Sequence, residues 1–289
     1  MKLHLVDGTY ELFRAYFGAP KRLAPDGREV GAIRGIMASM LSLVAEPGIT
    51  HVAAAFDTVI ESFRNTVYPG YKTGAGIDQE LLDQFLLAER GIASLGITVW
   101  SMYDYEADDA LATAACRWSG EVDQVVVMTP DKDLCQLYGD HGIVGYDRRK
   151  GAFIDRTTVI DKFGVAPPSI PDWLALVGDS ADGLPGIAGW GAKSSAVILS
   201  RYRHLEHIPV DQALWDVKVR GAEKLGANLQ ERMGDALLYR YLAQLRTDVP
   251  LPDSLGDLEW RGVPQDRFLA VCDELGFEQL RDRPHRWAD

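Results

Sequence analysis

The chain has 289 residues, of which 47% are apolar, and its formal net charge is −12. This length suits one large or two ordinary domains, and the apolar fraction argues against disorder. No apolar run reaches the roughly 18 residues of a membrane span, and Asp7 comes too early for a signal peptide. None of Cys116, Cys135 and Cys272 forms a Cys-x-x-Cys pair, which favours reduced thiols. We therefore expect a cytoplasmic protein that does not contact a membrane.

Short apolar segments alternate with helical patterns through the first half of the chain. Strands are predicted at residues 3–6, 51–56, 97–100, 124–129 and 142–146, and helices at 30–44 and 78–95. Beyond about Pro167 the pattern is helical, with further helices predicted at 223–245 and 268–275. The sequence therefore predicts an α/β fold in which residues 1–165 form a mostly parallel central sheet with flanking helices. Residues 166–289 are predicted to form a helical region.

Acidic side chains follow several of these strands at the point where each strand ends. Asp7, Asp57 and Asp131 lie within two residues of a strand end, and the segment 106–109 begins six residues after another. Because ligands of parallel sheets bind at the carboxyl ends of the strands, we expect these acids to converge at one edge. Asp147 also follows a strand, although we do not assign it to the site, so strand position alone is not decisive.

The densest acidic segment stands at the start of a predicted helix. Glu106, Asp108 and Asp109 fall within four residues, and apolar residues recur after them with helical spacing. Carboxylates at a helix start also interact favourably with the helix dipole and with N–H groups that lack intrahelical partners. Helix capping is therefore an alternative explanation for this segment.

Nine carboxylates are candidates for one metal site. They are Asp7, Asp57, Glu106, Asp108, Asp109, Asp131, Asp133, Asp179 and Asp182. So many carboxylates stay ionised near one another only with bound cations, because each raises the pKa of its neighbours. Two hard divalent cations with oxygen ligands, about 4 Å apart, would suit phosphodiester hydrolysis. Scattered surface acids and helix caps are the alternative, and zinc is not favoured because no His or Cys has suitable spacing.

The last two of these acids are followed by a glycine-rich segment. Asp179 and Asp182 are three residues apart, so a helical turn would aim both side chains in one direction. The glycines that follow do not lie in a βαβ unit, which argues against a dinucleotide fingerprint. We interpret the segment as a hairpin between two helices that binds a DNA backbone through N–H groups and a lysine, with a packing corner as the alternative. Its candidate DNA-binding residues are Gly186, Gly189, Gly191, Lys193 and Ser194.

Taken together, these segments resemble the 5′-nuclease (flap endonuclease) family, and in particular the 5′→3′ exonuclease domain of bacterial DNA polymerase I. The resemblance runs from Leu5 to about Leu275. It rests on Val6-Asp7-Gly8, Phe56-Asp57, Phe63-Arg64, Tyr71-Lys72, Tyr105-Glu106-Ala107-Asp108-Asp109, Thr129-Pro130-Asp131-Lys132-Asp133-Leu134, Gly178-Asp179-Ser180-Ala181-Asp182 and Leu184-Pro185-Gly186. It implies a PIN-like nuclease core, a mobile arch at about 58–80 and a helix-hairpin-helix DNA-binding motif at 184–199.

The resemblance also implies an activity and its cofactors. It implies a structure-specific 5′ nuclease that hydrolyses DNA at 5′ ends and 5′ flaps with two Mg²⁺ or Mn²⁺ ions, with K⁺ at the hairpin. One ion is expected at Glu106, Asp108, Asp109 and Asp131, and a second, held more loosely, at Asp133, Asp179 and Asp182, with Asp7 and Asp57 completing the site. No polymerase region follows in this sequence, so we expect a stand-alone monomer that works in replication and repair with a separate DNA polymerase.

Four further residues are expected to contact the substrate. Tyr71 is expected to stack on an unpaired base, and Lys72 and Arg64 to contact phosphate, with solvated charges as the alternative. Arg14 is expected to hold a phosphate near Asp7.

The sequence departs from the family pattern at two positions. Ala75 stands where the arch usually has Arg, which argues for less efficient threading of a 5′ flap. Gly183 stands where Asn is common, which predicts a looser turn around Asp182. Two other functions remain open, namely a catalytically weak or inactive protein that binds DNA junctions and a metal-dependent phosphatase on small substrates.

Overall fold

A computed structural model of the chain describes residues 1–139 and 141–288. Within these ranges the strands are β1 (Lys2–Asp7), β2 (His51–Asp57), β3 (Thr98–Met102), β4 (Gln124–Met128), β5 (Ile143–Asp147) and β6 (Ala152–Ile154). The helices are α1 (Gly8–Gly18), α2 (Gly31–Val44), α3 (Phe63–Val67), α4 (Gln79–Leu82), α5 (Phe85–Ala93), α6 (Ala107–Trp118), α7 (Arg156–Phe163), α8 (Ile170–Val177), α9 (Ala192–Tyr202), α10 (Ala222–Glu231), α11 (Met233–Ala243) and α12 (Gln265–Leu275).

The chain divides into two compact units. The first unit comprises Met1–Ser62, Gly74–Thr129 and Thr247–Asp289, and the second comprises Phe63–Thr73 and Pro130–Arg246. Strands β1 to β4 therefore belong to the first unit, whereas β5, β6 and helices α7 to α11 belong to the second.

Four parallel strands form the centre of the first unit. Their spatial order is β3-β2-β1-β4, and every neighbouring pair is parallel. Leu3, Leu5 and Val6 of β1 are fully buried, as expected for a parallel strand that is covered on both faces. Because β1 and β2 run in the same direction, Asp7 and Asp57 end their strands at the same edge of the sheet.

Helices with one apolar side supply the rest of this core. Ile33, Met37 and Met40 of α2 are at most 1% exposed, in agreement with the helical pattern predicted for residues 30–44. In α6, Leu111 and Ala115 are fully buried, so this helix is anchored by its apolar side close behind the acidic segment at its start. Among the described residues, no helix is long and apolar enough to cross a membrane.

Helices dominate the second unit, in which α8 packs against α9 and α11. Its strands β5 and β6 form an antiparallel hairpin. Asp147, at the end of β5, is buried and accepts hydrogen bonds from the backbone N–H groups of Arg149 at 3.0 Å and Lys150 at 3.1 Å. This carboxylate therefore shapes the hairpin turn, although it follows a strand as the site acids do.

The predicted fold class is confirmed, but three predicted element boundaries are wrong. The helix expected at 223–245 is interrupted at Arg232, which has φ −111° and ψ 21° and separates α10 from α11. The helix expected at 78–95 is two helices, α4 and α5, separated by Asp83 and Gln84. The segment 58–78, expected to lack regular structure, contains the short helix α3. Side-chain patterning locates the helices at 78–95 and 223–245 but does not show where their backbones break, and it misses the short helix α3.

Burial of His4 in β1 makes the stability of the fold sensitive to acid. Burial lowers the pKa of His4 from 6.5 to about 4, and the hydrogen bond to the backbone of His51 offsets this only in part. Since the folded-state pKa is the lower one, the unfolded chain takes up the proton first as the pH falls. His4 should therefore cost up to about 3 kcal/mol of unfolding free energy between pH 6.5 and 4.

Urea denaturation at pH 7 and pH 4.5 would measure this effect. The loss between the two pH values should be smaller in His4→Gln than in the wild type, whereas substitution of the exposed His207 should leave it unchanged. An identical loss in the wild type and His4→Gln would contradict the assignment to His4.

Candidate metal centre and nucleic-acid interface

The strand-end acids of the first unit are held by nearby donors. Asp7 is 7% exposed and accepts hydrogen bonds from the backbone N–H of Tyr10 at 2.8 Å and from the Thr129 hydroxyl at 2.9 Å. Asp57 is 8% exposed and accepts a hydrogen bond from the backbone N–H of Ala107 at 2.7 Å. This last bond fixes the end of β2 against the first turn of α6.

The acidic segment at the start of α6 forms a capping box. The Glu106 side chain caps the first turn, and the Asp109 carboxylate accepts the Glu106 N–H at 3.1 Å. Glu106 also accepts a hydrogen bond from the Ser62 hydroxyl at 3.0 Å. The capping alternative is thus correct for these two residues, and Asp108 between them is partly exposed. Capping and metal binding remain compatible, because a carboxylate has two oxygens with about four acceptor positions.

The second unit brings three predicted ligands together. Carboxylate oxygens of Asp133, Asp179 and Asp182 lie within 4.8 Å of one another, and we call these three residues the aspartate cluster. Asp133 opens a 3₁₀ helix after β4, whereas the other two flank the turn that follows α8. Asp131 is exposed, and its carboxylate accepts the backbone N–H of Asp133 at 2.9 Å.

Burial, and then electrostatic repulsion, disfavour ionisation of Asp133 in this cluster. Burial raises the pKa of Asp133 well above its usual value, and the charges of Asp131 and Asp182 raise it further. Asp133 Oδ1 is buried and has no hydrogen-bond partner among the described residues. A buried oxygen of this kind, close to two other carboxylates, suits a hard cation that prefers oxygen ligands. The residues present therefore fit a divalent metal ion.

Lysine side chains partly neutralise the cluster. Lys132 Nζ lies 2.5 Å from Asp179 Oδ2, and Lys72 Nζ lies 3.9 Å from Asp182 Oδ1. Burial works against the charge of Lys132, but the bond to Asp179 and the charges of the neighbouring acids raise its pKa to about 12. Lys132 therefore keeps its positive charge throughout the neutral pH range.

A closed turn, not a helical one, aims Asp179 and Asp182 together. The backbones of Asp179 and Leu184 exchange two hydrogen bonds of 2.7 Å, and Asp179 Oδ1 accepts the N–H of Ala181 at 3.0 Å. The predicted looser turn at Gly183 is also not observed. Gly183 has φ +73°, and a Cβ at this position would lie 2.2 Å from the carbonyl oxygen of Gly70. Glycine therefore permits a tight approach here.

The segment Phe63–Thr73 is fastened to that turn within the second unit. The Lys72 N–H donates to the carbonyl of Asp182 at 3.1 Å, and Asn65 Nδ2 donates to the Lys72 carbonyl at 2.9 Å. These bonds place Lys72 beside the aspartate cluster, and its expected contact with a phosphate stays a prediction.

Arg64 and Tyr71 are buried, contrary to the roles expected from sequence. Arg64 is 1% exposed and donates to the backbone carbonyls of Leu242 at 2.7 Å and Gln244 at 3.1 Å. Tyr71 is 4% exposed, and the Arg64 guanidinium lies 5.9 Å from its ring centroid. In this structure neither side chain is placed to contact DNA, because Arg64 is bound to backbone carbonyls at the end of α11 and Tyr71 is buried beside the Arg64 guanidinium.

Arg14 is engaged inside the first unit. Its guanidinium pairs with the buried carboxylate of Glu11 and donates to the Ser39 hydroxyl at 3.0 Å. The side chain remains 34% exposed. Its expected contact with a phosphate near Asp7 therefore stays a prediction.

The glycine-rich segment links α8 to α9 as predicted for a helix-hairpin-helix. Gly186 and Gly189 have φ +70° and +86°, which glycine adopts without strain. Ile187, which lies between these glycines, and Trp190, which follows Gly189, are buried. Trp190 Nε1 donates to the carbonyl of Leu225 in α10 at 3.1 Å. The hairpin is thus anchored by its apolar residues.

Its outer side presents the start of α9. At Gly191 a Cβ would meet open space, and Lys193 in the first turn is exposed. The Ser194 hydroxyl accepts the Gly191 N–H at 3.1 Å, so Ser194 caps the helix. This arrangement leaves an exposed positive charge at a helix N-terminus, where phosphate groups bind favourably.

Several residues that position the acids were not predicted from sequence. Thr129 and Ser62 donate to Asp7 and Glu106, the Asp57 N–H donates to Thr9 Oγ1 at 2.8 Å, and Lys132 pairs with Asp179. The signal for Lys132 was available, because it stands between two predicted ligands in the sequence. The hydroxyl residues give no comparable signal, since Thr and Ser are common beside strand and helix ends.

Comparison with known families now identifies the class of protein. Residues 2–164 match the 5′-3′ exonuclease, N-terminal resolvase-like domain, and residues 165–266 match the 5′-3′ exonuclease, C-terminal SAM fold. The chain therefore belongs to the 5′-3′ exonuclease family, as its motifs predicted.

Similar curated proteins include bacterial DNA polymerases I. DNA polymerase I of Mycobacterium leprae is 36% identical over 287 residues, which are 97% of this chain and 31% of that protein. DNA polymerase I of Bacillus subtilis is 30% identical over 286 residues, which are 98% of this chain and 32% of that protein. The chain thus spans about a third of the length of these relatives.

Solved structures with the same fold include proteins of bacteriophage T5. The T5 D15 protein co-crystallized with metal ions aligns with a TM-score of 0.72 at 18% identity, covering 96% of this chain and 99% of that one. A T5 D15 flap endonuclease variant in a pseudo-enzyme–product complex with DNA and metal ions aligns with a TM-score of 0.68 at 18% identity, covering 98% of both chains. At this identity the similarity establishes the fold.

Replacing Asp133 with Asn should stabilise the metal-free protein. The folded-state pKa of Asp133 is raised, so its contribution to stability is present at low pH and is lost as the pH rises through that pKa. Asn carries no charge, so thermal unfolding at pH 7 in EDTA should show a gain on the order of 1 kcal/mol.

Asp147→Asn is the matched control. Burial opposes ionisation of Asp147, but the Lys150 N–H and ammonium group lower its pKa. The ionised form therefore stabilises the fold, and the same Asp→Asn change should lower the melting temperature. A lower melting temperature for Asp133→Asn as well would argue against charge repulsion in the aspartate cluster.

Proposed function

We propose that this protein is a divalent-metal-dependent 5′ nuclease that hydrolyses DNA phosphodiesters at 5′ ends and 5′ flaps. The observation that carries the proposal is the aspartate cluster in a chain of the 5′-3′ exonuclease family. Asp133 and Asp179 are buried, and burying ionised carboxylates close together costs free energy unless a cation offsets their charge. Their arrangement therefore supports a metal-dependent catalytic use.

The cofactors proposed are two Mg²⁺ or Mn²⁺ ions. Asp133, Asp179 and Asp182 would hold the more loosely bound ion, and the buried, unsatisfied oxygen of Asp133 supports this assignment. The remaining predicted ligands are Asp7, Asp57, Glu106, Asp108, Asp109 and Asp131. Bound divalent ions would activate water and stabilise the leaving oxygen of the phosphodiester.

Residues of the chain itself would orient the substrate. Lys72 lies close enough to Asp182 to reach a phosphate group beside the aspartate cluster, where its ammonium would offset the charge of that phosphate. The bond between the Lys72 N–H and the Asp182 carbonyl keeps this lysine next to one ligand. Ala75, where the arch usually has Arg, removes one cation, so we expect Lys72 to matter more here.

DNA binding is proposed at the hairpin between α8 and α9. The exposed Lys193 and the N–H groups around Gly189 and Gly191 would contact the phosphate backbone of a duplex, with a K⁺ ion at the hairpin carbonyls. Such contacts fix the position of a duplex without reading its bases. A DNA polymerase acting on the same DNA is the proposed partner, and we propose that the nuclease acts as a monomer.

Cleavage of a 5′-labelled flap duplex would test the activity. Short products should form at the junction with Mg²⁺ or Mn²⁺ and be absent with EDTA, and their lengths would separate endonucleolytic from exonucleolytic cleavage. Asp179→Asn should reduce the rate by roughly 100-fold or more, because it removes a ligand oxygen charge. Asp123→Asn, at an exposed position that pairs with the N-terminus, should cleave at the wild-type rate.

Binding of the same flap duplex without cleavage would indicate a junction-binding protein instead. A native gel in Ca²⁺ would reveal that case, since substrate would shift although no product forms in Mg²⁺. If the duplex is neither bound nor cleaved, that result would favour the small-substrate phosphatase.

Lys193→Ala should weaken duplex binding and make the affinity less sensitive to salt concentration. Removing one phosphate contact should reduce the slope of log affinity against log salt by about 1. Fluorescence anisotropy at several salt concentrations would measure this slope, with Lys21→Ala as a control because Lys21 pairs with Glu80 in the first unit. Unchanged affinity and slope in Lys193→Ala would remove the hairpin from the proposed interface.

A further inference from the structure

Lys132 makes a close ion pair with Asp179 of the aspartate cluster. Its Nζ lies 2.5 Å from Asp179 Oδ2, the Asp179 side chain is 5% exposed, and the Lys132 side chain is 31% exposed. Lys132 is the last residue before the 3₁₀ helix that Asp133 opens, and its carbonyl accepts the N–H of Cys135 at 3.0 Å. The backbone is therefore fixed by hydrogen bonds both at Lys132 and at Asp179, and the ammonium group is held against the Asp179 carboxylate.

The same carboxylate group is a proposed metal ligand. Asp179 oxygens lie within 4.8 Å of oxygens from Asp133 and Asp182, and Asp133 Oδ1 has no hydrogen-bond partner among the described residues. Asp133 is 8% exposed, so this oxygen has little water to interact with. Asp179 can thus interact with two positive groups, namely the lysine ammonium and any cation bound by Asp133 and Asp182.

These two positive groups exclude one another in part. An ammonium group 2.5 Å from Asp179 Oδ2 repels a divalent cation at the neighbouring carboxylates, although the angles of this contact do not make it a hydrogen bond. Lys72 Nζ lies farther from its neighbouring ligand, at 3.9 Å from Asp182 Oδ1.

We infer that Lys132 is a positioning residue that competes with the divalent cation for Asp179 and so keeps the aspartate cluster a weak, readily exchanging metal site. Without a cation, the lysine holds Asp179 in place and limits repulsion within the cluster. When a cation binds, the Lys132 ammonium leaves Asp179 and its partly exposed side chain turns toward solvent. This inference rests on the proposed metal-dependent function.

Metal binding measured without DNA would test the inference. The proteins would be titrated with Mn²⁺, with free Mn²⁺ followed by electron paramagnetic resonance, and the cluster would be identified as the binding that Asp179→Asn removes. Lys132→Met, which keeps the length but loses the charge, should bind Mn²⁺ at this site at least threefold more tightly than the wild type. Its melting temperature in EDTA should fall, because Asp179 loses its partner.

Three further variants complete the experiment. Lys132→Arg keeps the charge and should bind Mn²⁺ about as the wild type does. Lys150→Met removes a lysine that pairs with Asp147 outside the cluster, and it should leave Mn²⁺ affinity unchanged. Lys132→Gln is the second uncharged variant and should also bind more tightly, so that the comparison survives if Lys132→Met does not fold.

The possible results separate the inference from the proposed function. Equal Mn²⁺ affinity in the wild type and both uncharged variants, with only a lower melting temperature, would overturn the inference and leave Lys132 with a purely structural role. Absence of any Mn²⁺ binding that depends on Asp179, in the wild type and the variants alike, would overturn the metal site itself. Tighter binding in both uncharged variants but not in Lys132→Arg would support the inference.

Discussion

Repulsion between carboxylates that are buried close together is the constraint on which the rest of this structure depends. An ionised carboxylate withdrawn from water costs several kcal/mol unless donors or cations replace the water. The Thr129 hydroxyl donates to Asp7, the Ala107 N–H donates to Asp57, and the Lys132 ammonium pairs with Asp179. Asp133 receives no such partner for one of its oxygens among the described residues, and burial raises the pKa of this carboxyl well above its usual value.

The hydrophobic core behind these acids is formed mainly by aliphatic side chains. Buried aliphatic side chains in β1 and α2, and the buried apolar side of α6, form the core, and the candidate acids Asp7 and Asp109 stand at the end of β1 and in the first turn of α6. The acids stand where strands and helices end, so their repulsion acts on turns and first helical turns. A fold with this arrangement can tolerate charge at its strand ends because its hydrophobic stabilisation lies elsewhere.

The sequence was sufficient to predict the fold class, because strands and helices have regular apolar patterns. It also predicted which acids stand at strand ends, because the ends of those patterns are visible in the sequence. The strands of the parallel sheet are apolar runs, and Asp7 and Asp57 follow them directly. Arg64 was misjudged for a physical reason: a charged side chain is normally exposed, and its burial here depends on carbonyls of Leu242 and Gln244, which lie far away in the chain. The break at Arg232 and the ion pair of Lys132 likewise depend on backbone angles and on distances that a one-dimensional pattern does not contain.

Close contact between Gly70 and Gly183 couples two segments that are more than a hundred residues apart in sequence. The space at Gly183 is limited by the Gly70 carbonyl, whereas a side chain at Gly70 would collide with the ring of Tyr68. A side chain at position 183 would therefore require a different backbone path at position 70, whereas at Gly70 the colliding atoms are the far end of a side chain that can turn away. In evolutionary terms the two positions should change together, so a protein made by transplanting the arch of a relative into this chain would need that relative's 182–183 turn as well.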